Sequence, residues 1–333
     1  MERRRPVAGV IAAHAGEADT VASGSEDAAL LALLRRLDEG GYAFVTPTPL
    51  THARVVARAD RQRARCVRDV LGWSLPFARG EIDAEVEMLL DRAGMLHADG
   101  ALSRSRVRVS SLHDRLFLHS AYPTHDTDAV FFGPDSYRFA DLIRVELASI
   151  AVRARLRILD IGTGSGVGAI VAASACRDAQ VCATDINPRA LRFARINATA
   201  AGVTVNAHHA PTLDTVEGAF DVITANPPYI IDANSRLYRD GGGMHGAQLS
   251  LDMTRMALDR LAPGGRMILY TGSAIVEGDD ALKRALADAA SAGGFGLDYR
   301  ELDPDVFGEE LDQPGYADVE RIALVAAVLT RPA

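Results

Sequence analysis

Lysine is almost missing from this 333-residue chain: Lys283 stands alone, and arginine carries the rest of the positive charge. The pattern fits the coding bias of a GC-rich genome and has no functional meaning of its own. Acidic residues outnumber basic ones, 44 against 36, and the net charge of −8 excludes a surface that coats nucleic acid broadly, though not a local basic patch. Cysteine is scarce. Cys66, Cys176 and Cys182 have neither paired nor ligand-like spacing, which excludes a disulfide framework and fits a reducing, cytoplasmic setting. Among the histidines only His208 and His209 adjoin, so no metal site is expected. No apolar run approaches the length of a membrane span, and the short one at residues 7–13 is broken by glycine and interrupted by histidine nearby, so neither an anchor nor a signal peptide is expected.

What remains is a hydrophobic content of 48%, ample for a large core, in a chain long enough for two domains. Residues 1–24, rich in Ala, Gly, Ser and charge, are expected to form a flexible tail. Residues 25–125 carry helical stripes, at Ala29, Leu30, Leu33 and Leu34 and again around 61–71 and 82–93, before a strand-like alternation at Val107, Val109, Leu116 and Leu118. This predicts a helix-rich amino-terminal domain, winged-helix-like, that serves as a substrate domain or lid. Its many arginines are interleaved with acids, the pattern of a solvated helix face.

Residues 126–333 alternate regularly between strand and helix, which predicts an α/β fold with a doubly wound, mostly parallel sheet. The first strand, 157–161, runs into Gly162-Thr163-Gly164-Ser165-Gly166. The second ends at Asp185, with Pro188 opening a helix. Further strands are expected at 203–207, 220–225 and 267–270, with an antiparallel pair at 297–302 and 322–329. The glycine turn lacks the Gly-Lys-Ser/Thr of a phosphate loop. Asp160 just before it suits a positively charged ligand such as the ammonium of S-adenosylmethionine, and Asp185 is placed to bridge two ribose hydroxyls. The stretch Asn226-Pro227-Pro228-Tyr229 closes the apolar strand 220–225. Two prolines stiffen the chain there. The Asn226 side chain and the Pro227 carbonyl would each accept a hydrogen from a planar NH2 group while Tyr229 stacks on the flat group behind it.

On these residues, the chain from about 130 to 333 resembles the class I S-adenosylmethionine-dependent methyltransferases, with their Rossmann-like seven-stranded sheet. More narrowly it resembles the HemK-like release-factor glutamine methyltransferases and the wider Asn-Pro-Pro-Tyr group that includes adenine-N6 enzymes. The resemblance implies that Asp160, Gly162, Thr163, Gly164 and Gly166 contact the methionine portion of the cofactor, Asp185 its ribose and Ile186 its adenine. It makes Asn226, Pro227 and Tyr229 catalytic, with Asn226 also facing the cofactor. The segment from Phe132 to Tyr137 matches one just before the family's first motif, and Tyr137 is expected at the cofactor. Pro211 falls where such proteins often carry an acid beside the adenine amine, and the first 125 residues do not match the family's usual amino-terminal domain.

The implied reaction is direct methyl transfer to a planar amide or amine nitrogen, most simply a protein glutamine side chain. Pro228, Arg239 and Asp240 are substrate-contact candidates, the last two in a loop whose three glycines, 241–243, suggest a mobile lid. Three other readings stay open: an adenine amine of RNA or DNA, a small molecule of secondary metabolism, and a regulator that uses the cofactor as a signal.

Overall fold

A computed structural model describes residues 24–124, 126–150, 155–232 and 236–333. The expected tail lies outside them apart from Gly24. Four helices come first: α1 (Ser25–Glu39), α2 (Pro49–Val56), α3 (Val67–Leu71) and α4 (Ala84–Arg92). α1 buries Ala29, Leu30, Leu33, Leu34 and Leu37, one stripe at helical spacing. α2 opens with Pro49 because Thr48 caps it, accepting the Thr51 N–H at 3.2 Å. The helix expected over 61–71 shrinks to α3. Asp69 explains the loss: it accepts the Arg65 N–H at 3.0 Å and pairs with Arg61 at 2.9 Å, holding the chain before α3 in a bend.

Two antiparallel hairpins follow, β1 (Leu96–Asp99) with β2 (Leu102–Ser105), and β3 (Val107–Leu112) with β4 (Arg115–Ser120). The first has little apolar alternation and escapes sequence reading. Helix α5 (Pro134–Ala148) then leads to the sheet. Its elements are β5 (Arg157–Ile161), α6 (Val167–Ala175), β6 (Gln180–Asp185), α7 (Pro188–Ala200), β7 (Asn206–His209), β8 (Phe220–Ala225), α8 (Gln248–Leu258), β9 (Leu261–Val276), the two-residue β10 (Asp279–Asp280), α9 (Ala281–Gly293), β11 (Gly296–Asp303) and β12 (Arg321–Thr330).

The strand order is β11-β12-β9-β8-β5-β6-β7, with β10 attached to β9 alone. β9, β8, β5, β6 and β7 are parallel, while β12 lies antiparallel between β9 and β11. This is the doubly wound, seven-stranded, mostly parallel sheet that the alternation predicts. The order reverses between β5 and β8, and in open α/β sheets ligands bind beyond the strand ends at such a point. β9 is far longer than the four residues expected, because β12 pairs with it from Arg266 to Ile275 and carries it past the local pattern.

Helices cover both faces. Ile158, Val222 and Ile268 pack on one side with Phe139 and Ile143 of α5 and Ile170 of α6. Leu159, Ile223 and Leu269 pack on the other with Leu251 of α8 and Leu286 of α9. The amino-terminal elements close over α7, whose Ala190, Phe193 and Ile196 share a cluster with Leu30, Leu33 and Leu118. Asn197, fully buried, adds polar ties across that contact. It accepts the Leu118 N–H at 2.8 Å and donates to the Leu118 carbonyl at 3.0 Å and the Ser165 carbonyl at 2.8 Å.

Removing that amide leaves buried backbone groups without partners. Asn197→Ala is therefore expected to cost about 3 kcal/mol of stability, measured as a lower urea midpoint at unchanged slope. A wild-type midpoint would show that the tie contributes nothing.

Candidate active site

β5 ends in the glycine turn, where Gly162, Gly164 and Gly166 have φ of +66°, +55° and +89°, the left-handed region open to glycine. Asp160 organises it from beneath. One carboxylate oxygen accepts the Thr163 hydroxyl at 2.6 Å and the Ala169 N–H at 3.0 Å; the other accepts the Thr224 hydroxyl at 2.7 Å. The side chain is buried and braces β5, α6 and β8, and Asp160 also lines the cavity over the turn. Gly168 completes the turn: a Cβ there would lie 2.2 Å from an Asp160 carboxylate oxygen. Sequence reading passed it over, though its two-residue spacing from Gly166 was visible.

Asp185 ends β6 opposite the turn, accepting the Gly164 N–H and the Asn187 N–H, each at 2.8 Å. Burial pushes its carboxyl above the usual range. The cap of α7 is Asn187, whose side chain accepts the Arg189 N–H at 2.9 Å, so Asp185 is free of that duty. Ile186 stands 47% exposed beside it. These groups line a cavity of about 370 Å³ that also takes in Thr163, Pro211 and Leu213.

A second cavity, about 340 Å³, lies on the other side of the Asn226 loop. Phe131, Asn226, Pro228 and Tyr238 line both. Asn226 thus stands at the junction, held at the end of β8 at the switch point. Pro227 and Tyr229 line the second cavity only. Tyr229 is not free to stack on a bound group as expected. It is buried, its hydroxyl donates to Asp135 at 2.8 Å, and its ring lies so close over Gly272 that a Cβ there would come within 2.3 Å. The flat wall at the junction is instead made by Phe131 and Tyr238, whose rings are parallel within 6° at 5.9 Å between centroids. Tyr238 opens the stretch expected to be a substrate loop or lid, but its pairing with Phe131 was not visible, because no local motif joins residues so far apart in the chain.

Tyr137 is outside both cavities. Its hydroxyl accepts the Thr46 N–H at 3.0 Å, so it ties α5 to the amino-terminal elements, and the expected cofactor contact is corrected. Arg239 reaches the second cavity but is committed to Asp232 at 3.6 Å and to a bond with Glu310. Asp240 lies outside both cavities: its carboxylate accepts the Gly242 N–H at 3.2 Å while its backbone bridges Ile230. Of the three glycines that follow, Gly242 and Gly243 meet only ordinary contacts, whereas Gly241 is required by packing. A Cβ on Gly241 would lie 1.8 Å from the Gly246 carbonyl oxygen, so the loop needs glycine for close packing. The second cavity also receives Thr48, Pro49 and Leu50 from the start of α2, and its rim carries Asp303, Asp305 and Glu309. No group of three or more His, Cys, Asp or Glu among the described residues is arranged to hold a metal, and none of their helices is long and apolar enough to cross a membrane.

A glycine turn and a strand-end acid on one side of the switch point, and an Asn-Pro-Pro-Tyr loop on the other, define a class I methyltransferase. The methyltransferase small domain family matches residues 144–291. The release factor glutamine methyltransferase of Deinococcus radiodurans is 30% identical over 239 residues, 71% of this chain and 78% of that protein. That of Neisseria gonorrhoeae is 37% identical over 140 residues, a match spanning 37% of this chain and about half (51%) of that protein. A solved ribosomal protein L11 methylase from Lactobacillus delbrueckii subsp. bulgaricus is similar at 21% identity and a TM-score of 0.42, covering 61% of this chain and 81% of that one. The chain belongs to the HemK-like release factor glutamine methyltransferase family. It is an S-adenosylmethionine-dependent methyltransferase.

Asp160 carries a pH signature. Burial raises its carboxyl to about 6, against the pull of the Thr163 and Thr224 hydroxyls and the Ala169 N–H. Its contribution to stability is complete below the unfolded value and is lost as pH rises through about 6. Asp160→Asn stays neutral throughout, so its stability is expected to vary less than wild type between about pH 4 and pH 6 in urea titrations. An unchanged pH slope would show that the carboxyl ionises as freely in the fold as outside it.

Proposed function

We propose that this protein methylates the side-chain amide nitrogen of a glutamine in a protein substrate, with S-adenosylmethionine in the first cavity and the amide entering through the second. The observation that carries this is the place of Asn226, at the junction of the two. The first cavity fits the cofactor chemically. Gly162 to Ser165 line it and would let a ligand approach the backbone, Asp185 lines it for the ribose, and half-exposed Ile186 with Leu213 and Pro211 offers an apolar seat for a flat base, while Gly166 packs against Ala194 of α7 outside the cavity. Pro211 leaves no acid for the adenine amine, so packing and backbone hold it. Bound there, S-adenosylmethionine supplies an electrophilic methyl group on a sulfonium.

The chain's own part is positional. The Asn226 side-chain oxygen and the Pro227 carbonyl accept the two amide hydrogens, which raises electron density on the nitrogen and aims it toward the first cavity. Phe131 and Tyr238 flank the amide and keep water out of the junction. The amino-terminal elements, residues 25–125, act on the substrate side, since Thr48 to Leu50 form part of the second cavity's wall. The relatives named for release factor glutamine supply the precedent for a protein acceptor. An adenine amine would meet the same Asn226, but the rim acids Asp303, Asp305 and Glu309 outnumber the arginines there, Arg138, which pairs with Asp303, and Arg239, a balance that disfavours phosphates.

With labelled cofactor and a glutamine-bearing protein fraction, Asn226→Ala is expected to lower kcat by about 100-fold or more while cofactor affinity stays within about twofold. Full activity in this variant would overturn the assignment, and label entering nucleic acid instead of protein would transfer it to the adenine reading.

A further inference from the structure

Asp135 lies in the first turn of α5, is buried, and accepts two phenol hydroxyls: Tyr229 at 2.8 Å on one oxygen and Tyr270 of β9 at 3.0 Å on the other. Arg138, one turn on, is 3.9 Å away and pairs outward with Asp303. A carboxylate taken out of water is expensive unless its lone pairs are filled. Here two hydroxyls and the positive end of a helix fill them. The bonds fasten three elements at one point: α5, β9 and the loop that leaves β8.

Tyr229 is the far end of the Asn226 loop. Between the two stand Pro227 and Pro228, each with φ fixed by its ring. A stiff strut of this kind passes on the position of its anchored end. On the other side, Thr224 is held by Asp160, two residues before Asn226. The segment from 224 to 229 is therefore clamped at both ends by buried carboxylates, and the acceptors at Asn226 and Pro227 lie between the clamps. Asp160 belongs to the glycine turn, so the cofactor side sets one end. Asp135 lines the second cavity and sets the other.

We propose that Asp135 is a positioning residue for methyl transfer: by holding the Tyr229 hydroxyl it fixes where the Asn226 and Pro227 oxygens meet the target nitrogen. This rests on the reading of those oxygens as acceptors for the amide hydrogens. Asp135 touches no reacting atom. Its effect belongs in the rate of transfer, not in the binding of cofactor.

The test uses the full chain, labelled S-adenosylmethionine and the protein acceptor fraction, with wild type, Asp135→Ala, Asp135→Asn, Tyr229→Phe, Tyr270→Phe and the double variant Asp135→Asn/Tyr229→Phe. Misplacement by about 1 Å costs about 100-fold in rate, so Asp135→Ala is expected to lose about 10- to 100-fold in kcat with cofactor affinity within about twofold. Asp135→Asn keeps one acceptor oxygen and is expected to recover part of the loss. The double variant is expected to be no slower than the worse of its two single variants, because both changes act on the one Tyr229–Asp135 contact. Tyr270→Phe, which leaves the Tyr229 bond in place, is expected to lose less than Tyr229→Phe. Wild-type kcat in a folded Asp135→Ala, a loss confined to cofactor affinity, additive losses in the double variant, or equal losses in the two tyrosine variants would each overturn the proposal. Should wild type itself transfer no label to protein, the underlying reading fails before Asp135 is tested.

Discussion

Everything in the site is referred to the Asp160 carboxylate. It sits at the end of the first parallel strand, under the glycine turn, and gathers hydroxyl and amide donors from the turn, from α6 and from the neighbouring strand β8. The two strands joined by the Thr224 bond flank the point where the sheet order reverses. One carries the turn that faces the first cavity, and the other carries Asn226 toward the second. A single buried acid thus keeps the two halves in register. Burial raises its proton affinity, and three donors are the reason it can be accommodated at all.

The site is consequently built mostly of restraint. Gly168 is small because Asp160 occupies the space a side chain would need, and Gly241 because the Gly246 carbonyl does. The Asn226 loop is stiffened by two prolines, and Tyr229 is pinned between Asp135 and the backbone of Gly272. Transfer of a methyl group between a good leaving group and a poor nucleophile needs alignment and dry surroundings more than proton transfer, and rigid placement supplies the first of these. The parallel rings of Phe131 and Tyr238 supply apolar surroundings at the junction.

Much of this was legible in the chain. The strand–helix alternation, the glycine turn, Asp185 and the Asn-Pro-Pro-Tyr segment are local signals, and each lands at the carboxyl ends of β5, β6 and β8 as its position in the alternation implies. What failed to show depends on direction or on distance. The motif around Tyr137 locates α5 correctly, but neighbours on a helix face different ways: Asp135 and Ser136 turn toward the cavities while Tyr137 turns to Thr46. The brace that Asp160 makes with Thr163, Ala169 and Thr224 did not show, because spacing does not say which donors a buried side chain meets. Gly241 looked like freedom, since sequence does not reveal a carbonyl oxygen packed where a Cβ would be. Phe131 and Tyr238 meet only through the fold, and the length of β9 is imposed by its partner β12.

The second cavity has walls of mixed origin. Thr48, Pro49 and Leu50 come from the opening of the chain, and Asp303, Asp305 and Phe307 from near its close. Neither group belongs to the Asn226 loop, which the proposed function has grip the nitrogen. Under the proposed function, selectivity would be housed largely apart from chemistry, so that substitutions at Thr48, Leu50 or Asp305 would retune which molecule is admitted while the Asn226 loop keeps its place.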